Sequence, residues 1–501
     1  MKKKGIMIAA VKSGSGKTTI TCAFLRQLLE RGMHPVSFKC GPDYIDPMFH
    51  ERVLHIPSKN LDTFFTDADQ VRALYAMEQP GHDITVLEGV MGLFDGLGGT
   101  REEGSSYHLA ETLGVPVVLV IDAHGMGRSM IPLIAGFLQY DKSHLIKGVI
   151  LNRTSKMFFD TIAPLIEQEL KIKALGCLPN EKGLSLSSRH LGLILPEEVE
   201  ELNEQLKKAG ELLEQYVDLD AMVALAEKTE DENPQGKGQQ REPEKQSLET
   251  GTDLKGLMEQ AYGKNPEYAQ VLWEQDSHAR EPRPRIAVAM DEAFCFYYRD
   301  NLNMLEYYGA EIVPFSPLHD SALPEEISGL LLGGGYPELY AKELAANESM
   351  KASVREALKK GMPSLAECGG FMYLHERLTT QDGENVSLVG AVPGTCSYKG
   401  KLVRFGYVEI TEKEDAAEEG RCGFLLPGQC IRAHEFHYFD STANGESCVA
   451  VKPVTGRSWH CIHETEHNFW GFPHLYYPSE PGFVRHFLGQ LRDYANKNRM
   501  K

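Results

Sequence analysis

Two α/β domains joined by a polar linker are the fold class this sequence predicts, and three observations predict it. Apolar strand-like runs alternate with amphipathic helical stretches from Gly5 to about Leu195. The composition then breaks at Lys228, and a second alternating region opens at Ile286. The length agrees, because 501 residues exceed one ordinary domain.

The runs Gly5–Ala10, Pro35–Cys40, Ile84–Gly89, Pro116–Asp122, Ile146–Asn152 and Lys173–Pro179 read as strands of the first domain. Between the first two, Ile20, Phe24 and Leu28 fall on one helical face, and Gly32 follows as a C-terminal stop. Such alternation builds βαβ units, hence a parallel sheet covered by helices. Two polar helices over about 197–216 and 219–227 close the domain. Lys228–Asp253 is rich in Glu, Gln, Lys, Pro and Gly and is read as a flexible linker. A weakly helical patch and "REPRPR" follow it. Ile286–Met290, Glu311–Ser316, Gly329–Gly334 and Pro363–Glu367 supply strands of the second domain. The boundaries read this way are 1–227, 228–282 and 283–493.

Composition narrows the function. The net charge is −19, which disfavours nonspecific binding to nucleic acid or anionic membranes. No apolar run reaches 18 residues, so no transmembrane helix is expected. The basic-then-apolar start is read as the first strand of a cytoplasmic protein rather than a signal peptide. The ten cysteines are scattered, with no C-x-x-C pair and no zinc-site spacing.

"KSGSGKTT", Lys12–Thr19, follows the first strand and opens the first helix, the context a phosphate-binding loop requires. Gly14 and Gly16 let amides turn inward onto phosphate oxygens, and the helix N-terminus adds a favourable dipole. Lys17 is placed to reach the β/γ phosphates of a nucleotide and Thr18 to ligate Mg²⁺, with Thr19 beside them. Val11 stands where the usual first glycine would be, and Lys12 supplies the extra lysine of a variant loop. Asp43, Asp46 and Glu88 sit at the ends of the next strands, where ligand crevices of parallel sheets form. Each alone could be a turn or cap residue, but together with Thr18 they offer Mg²⁺ the oxygens it prefers. Asn152 could read an adenine edge and Arg153 could hold an anion, or both could merely start a loop. Arg189 and His190 could bind a carboxylate or simply be exposed.

"PSLAECGGFMYL" has the strand–sharp turn–helix pattern of a nucleophile elbow, with Cys368 on the turn. The following helix is expected to lower the thiol pKa. "LLLGGGYPELY" ends a strand in three glycines, of which Gly334 and Gly335 are candidate oxyanion-hole donors. The base is open among His434, His437, His460, His463, His467 and His474.

Seven motifs in order, "KSGSGKTT", "FKCGPDYIDPMFH", "LEGVMGLFDG", "SRHLGL", "LLLGGGYPELYAKELAAN", "AECGGFMYL" and "HEFHYF", resemble the cobyrinic acid a,c-diamide synthases over nearly the whole chain except the linker. That resemblance implies an ATP-dependent amidoligase domain, similar in fold to dethiobiotin synthetase, fused to a class I glutamine amidotransferase domain. It implies a ligase of cobalamin biosynthesis, with a cobyrinate-type macrocycle and glutamine as substrates and ATP and Mg²⁺ as cofactors. No nucleic-acid or membrane partner is implied, and a homodimer is left open. Glutamine would be hydrolysed at Cys368 with His474 as its partner, while Asp43, Asp46 and Glu88 order the metal and the carboxylate. Tyr476 stands where common class I amidotransferases carry a glutamate two residues after the histidine. The rival macrocycle is nickel-sirohydrochlorin; a partitioning-type ATPase shares the loop but needs no elbow cysteine.

Limited proteolysis is expected to cut between residues 228 and 282 and to leave the two flanking domains whole. First cuts inside 1–227 or 283–493 would contradict these boundaries.

Overall fold

A computed structural model describes residues 4–181, 196–227, 254–263, 283–413, 424–426 and 428–499. Arg189 and His190, and most of the expected linker, lie outside the described residues. The chain divides into two compact units, Met1–Ala261 and Tyr262–Lys501.

The first unit is a seven-stranded sheet in which every pair is parallel. Its strands are β1 (Gly5–Ala10), β2 (Pro35–Cys40), β3 (Ser58–Leu61), β4 (Ile84–Glu88), β5 (Val117–Asp122), β6 (Ile146–Asn152) and β7 (Lys173–Leu178). Burial on both faces explains the continuous apolar runs that mark five of them. Helix α1 (Lys17–Glu30) lays Ile20, Phe24 and Leu28 against Ile6, Ile8 and Ala10, all at most 1% exposed. The helices Pro196–Tyr216 and Leu219–Glu227 match the two polar helices expected, and Leu206, Leu213 and Met222 join the same core.

Strand β3 was not legible in the sequence, because "SKNL" has no apolar pattern. Tertiary contacts make it: Asn60 Nδ2 donates to Gly41 O (2.8 Å) and Asp43 O (2.7 Å), and Lys59 pairs with Glu78 (2.6 Å). The strand order is β3-β2-β4-β1-β5-β6-β7, so β4 inserts between β1 and β2. The loop after β1 and the ends of β2 and β4 therefore meet at one edge. In that register Glu88 lies beside both Ile8 and Lys39.

Helix Leu254–Tyr262 falls inside the segment read as linker, and its last residue already belongs to the second unit. Tyr262 is buried, and its hydroxyl donates to Asp300 Oδ1 (2.7 Å). The second unit is built on β8 (Arg285–Ala289), β9 (Phe294–Phe296), β10 (Glu311–Phe315), β11 (Gly329–Leu332), β12 (Gly334–Gly335) and β13 (Ser364–Glu367). β14 (His375–Thr379), β15 (Asn385–Ser387), β16 (Val392–Tyr398), β17 (Arg404–Glu412), β18 (Cys430–His437) and β19 (Phe439–Ser441) follow. The last strands are β20 (Cys448–Val451), β21 (Ser458–Cys461), β22 (His463–Glu464), β23 (Asn468–Gly471) and β24 (His474–Leu475). A six-stranded sheet runs β10-β8-β11-β13-β23-β22, parallel as far as β23. A two-stranded sheet, β12-β9, a four-stranded sheet, β15-β14-β16-β19, and a five-stranded sheet, β21-β20-β17-β18-β24, complete the described part of the unit. Histidine, glutamate and arginine interrupt the alternation of β17 and β18, which is why they were not listed as strands from sequence.

Gly370 shows how tightly the turn after β13 is seated. A Cβ there would fall 2.1 Å from Leu332 O, while its N–H donates to Gly333 O (2.8 Å). Gly370→Ala is expected to lower stability by about 1–3 kcal/mol, the usual cost of overpacking. Thermal unfolding checks this, and an unchanged midpoint would contradict the packing described.

Candidate active sites

In the first unit the phosphate loop bends through Gly14 (φ 77°) and Gly16 (φ 95°), the latter capping α1. Lys17 Nζ donates to Met91 O (2.6 Å), and Thr18 Oγ1 donates to Glu88 Oε1 (2.6 Å). Burial, then the neighbouring charge of Lys39, push Lys17 down to about 8. Lys12 is exposed and Thr19 half-buried.

The centre of the site is a lysine the sequence reading did not single out. Lys39 Nζ donates to Asp46 Oδ2, to Glu88 Oε1 (2.9 Å) and to Gly89 O (3.4 Å). Its side chain is 5% exposed, Asp46 7% and Glu88 0%, so this is a buried three-charge cluster. Burial alone would lower Lys39, but Asp46 and Glu88 more than offset it, and the ammonium is held well above its ordinary range. Burial and Asp46 raise Glu88. For Asp46 burial acts upward, but Lys39 wins and the carboxyl lies low. The available signal was a lysine inside an otherwise apolar, fully buried strand. His50 was missed too: its Nε2 lies 3.7 Å from Glu88 Oε2, and burial lowers it to about 4, so it is neutral.

Asp46 and Glu88 thus come together as expected, but Asp43 is engaged differently. Its Oδ1 accepts the N–H of Ile45 (2.8 Å) at the start of the helix Ile45–Val53. Burial raises its pKa to about 6. Among the described residues no group of three His, Cys, Asp or Glu side chains could hold a metal by itself. The donor set still fits Mg²⁺ if phosphate and water complete it: Thr18 and Glu88 touch, and Glu88 Oε2 is buried without a hydrogen bond.

Asn152, for which an adenine edge and a loop start were both open, supports the loop. Its Nδ2 donates to Ser15 O (2.8 Å), its Oδ1 accepts Arg153 N–H (2.9 Å), and a Cβ on Gly16 would sit 2.1 Å from that nitrogen. Arg153 Nη1 bonds Asp122 Oδ2 (2.9 Å) and Nη2 donates to Gly14 O (3.0 Å), so it too braces the loop.

In the second unit Cys368 stands between β13 and the helix Gly369–Leu374 with φ 46° and ψ −103°. A non-glycine residue at such angles costs of order 1–3 kcal/mol and persists only where its surroundings fix it. Cys368 N–H donates to Gly471 O (2.9 Å). The thiol pKa is raised, not lowered as expected from the helix: burial dominates, Glu338 adds to it, and the Gly369 N–H only partly offsets them. The helix that follows has six residues.

β13 and β23 run parallel with Glu367 opposite Gly471, so both strands deliver their next residues to the same edge. Cys368 comes from one and "FPH", ending in His474, from the other. A Cβ on Gly334 would lie 2.3 Å from His474 Cε1, so the absence of a side chain there lets the imidazole in. Gly335 N lies 3.1 Å from where a Cβ on Gly369 would be, beside the turn. By contrast Gly333 N–H is taken by Tyr297 Oη (2.9 Å). Burial lowers His474 to about 3, leaving a neutral ring. His434 stacks on it, ring centres 4.9 Å apart at 18°. His437 Nδ1 bonds Phe439 O (2.7 Å), and its ring lies on Phe472. The nine described cysteines are all free.

Fold and sites define a class: a nucleotide-binding domain fused to a glutamine amidotransferase domain. Residues 6–194 match the CobQ/CobB/MinD/ParA nucleotide binding domain and residues 285–471 the CobB/CobQ-like glutamine amidotransferase domain. The chain is 35% identical to cobyrinate a,c-diamide synthase of Caldanaerobacter subterraneus subsp. tengcongensis, over 98% of this chain and 99% of that protein. It is 36% identical to the synthase of that name from Clostridium acetobutylicum, over 97% and 100%. Against the Listeria innocua synthase it is 34% identical, over 97% and 98%. The chain belongs to the cobyrinate a,c-diamide synthase family, and it is an enzyme of the glutamine-dependent ligase kind.

Lys39→Met tests the buried cluster. It would leave two acids facing each other without a counter-charge, at a cost of about 3–5 kcal/mol. Urea unfolding of the full chain is expected to show the first unit melting earlier, with synthesis lost from either nitrogen source. Wild-type unfolding would contradict the cluster.

Proposed function

We propose that the enzyme amidates the a and c carboxylates of cobyrinate, using ATP to activate each carboxylate and glutamine to supply ammonia. A carboxylate at neutral pH does not react with ammonia; phosphorylation gives it a leaving group. Free ammonia is mostly ammonium at pH 7, so it is best produced on the enzyme. One chain therefore needs both a phosphate loop and a thiol.

The observation that carries this reading is Cys368, held at φ 46° on an elbow, in a chain that also has a phosphate loop. In the amidotransferase half-reaction His474 takes the thiol proton and Cys368 sulfur attacks the glutamine amide carbon. The amides of Gly334 and Gly335 are the candidate donors to the oxyanion that develops. The C–N bond breaks as the proton passes from His474 to the leaving nitrogen, giving ammonia and a γ-glutamyl thioester that water hydrolyses. In the ligase half-reaction the Gly14–Thr19 loop binds the ATP phosphates, with Lys17 against their charge. Thr18 and Glu88 would hold Mg²⁺, which when bound neutralises phosphate charge. Asp46 and Lys39 order the acceptor carboxylate beside them. Its oxygen attacks the terminal phosphorus as the bond from that phosphorus to ADP breaks, and ammonia then attacks the acyl carbon, expelling phosphate and giving up a proton to leave the amide. Support for the substrate comes from the relatives named cobyrinate a,c-diamide synthase, which match end to end.

The two half-reactions share only ammonia, so variants should separate them. Cys368→Ala is expected to lose glutamine-dependent synthesis and to keep synthesis from ammonium salt at mildly alkaline pH. Lys17→Ala, Asp46→Asn and Glu88→Gln are expected to lose synthesis from both sources by about 10²–10³ or more, through lost transition-state electrostatics. Mass spectrometry of amidated cobyrinate reads the outcome. Normal glutamine-dependent synthesis by Cys368→Ala would sink the amidotransferase assignment. Wild-type product from hydrogenobyrinate or nickel-sirohydrochlorin, with none from cobyrinate, would move the substrate.

A further inference from the structure

We propose that Glu367 is the positioning residue that registers the nucleophile against its base, in place of the acid that other amidotransferases carry two residues after the histidine. The inference rests on Cys368 and His474 holding the roles just proposed.

The residue where that acid would stand is Tyr476, and its side chain goes elsewhere. Its hydroxyl donates to Asp300 Oδ2 (3.4 Å), and its ring meets Tyr298 edge-on, centres 5.2 Å apart. Glu367 sits one bond before Cys368 and reaches the chain just after His474. Its Oε2 accepts the N–H of Leu475 (3.3 Å), and its Oε1 accepts the hydroxyl of Tyr477 (3.0 Å). Asn301 completes the clamp from the other side: Nδ2 donates to Leu475 O (2.8 Å), and Oδ1 accepts Tyr477 N–H (2.8 Å). Four side-chain hydrogen bonds thus fix the two residues that flank Tyr476.

Topology explains why such a tie is needed. The backbone ladder between β13 and β23 ends at the Glu367–Gly471 pair. His474 belongs to β24, which pairs with β18 in a different sheet, with His474 opposite His434. No ladder bond therefore joins the nucleophile's strand to the base's strand. The Glu367 carboxyl group, raised to about 8 by burial, does so, and because it is covalently next to Cys368 it leaves little slack. Glu367 is 6% exposed, so both its oxygens depend on these donors. Loss of the carboxyl group would leave Leu475 N–H buried and unpaired.

Steady-state glutaminase kinetics of the full chain test this. For Glu367→Ala, kcat is expected to fall about 10²-fold with KM within a few-fold, because a shift of about 1 Å between reacting groups costs that much. Glu367→Gln, whose amide oxygen can still accept from Leu475, should recover most of it. Tyr477→Phe should lose several-fold in kcat, and adding it to Glu367→Ala should cost little more, since both remove the same tie. Wild-type kcat in folded Glu367→Ala, no recovery in the Gln variant, or additive losses in the double variant would each overturn the proposal. If Glu367→Ala does not fold, Tyr477→Phe decides, and unchanged kcat there overturns it. Glutaminase surviving in Cys368→Ala or His474→Ala would instead overturn the underlying roles. Their loss beside a fully active Glu367→Ala would fell this inference alone.

Discussion

One buried ammonium holds the ligase site together. Lys39 is shared by Asp46 and Glu88, and through Glu88 by Thr18 at the start of α1. Strand β2, the helix after it, β4 and the phosphate loop are therefore linked by a single network of charge-assisted bonds. A lone lysine in this environment would be neutral; two carboxylates keep it charged, and it keeps Asp46 ionised. Such clusters rarely add net stability over apolar packing, but breaking one partner is expensive. Its worth here is geometric: acidic oxygens and the loop that receives phosphates are fixed at one edge of the sheet before any substrate arrives.

The second unit solves a similar problem with backbone strain and neutral groups. Its thiol is buried and reluctant to ionise, and its histidine is buried and reluctant to take a proton. The two strands that carry them set their relative placement. The positive φ of Cys368, the bare Gly334 and the clamp on Leu475 and Tyr477 all serve that placement.

Much of this was legible in the sequence. Six parallel strands of the first unit, α1, the two helices that close the domain, the phosphate loop and the elbow all follow from period, glycine placement and local order. What was read less well has a common cause. Asn152 and Arg153 looked like ligand-binding residues at a strand end, yet the loop opposite takes up their polar groups. Asp43 was read as a metal ligand, and its Oδ1 also accepts the N–H of Ile45 at the start of a helix. In each case a nearby backbone group competed for the side chain, and sequence spacing does not reveal such partners.

The sequence by itself determined which residue types stand at the strand ends: a lysine and threonine after β1, an acid as the last residue of β4, a cysteine after β13. These depend on local chain geometry, since only certain residues form a tight turn or start a helix. Tertiary structure alone decided which of them touch. It paired Lys39 with Glu88 by inserting β4 between strands that are neighbours in sequence. It set His474, among six candidate histidines, against Gly334, and it raised the Cys368 thiol where the local helix argued for lowering. Strand order and burial are properties of the whole packed chain, and desolvation acts on a thiol only once that packing has excluded water.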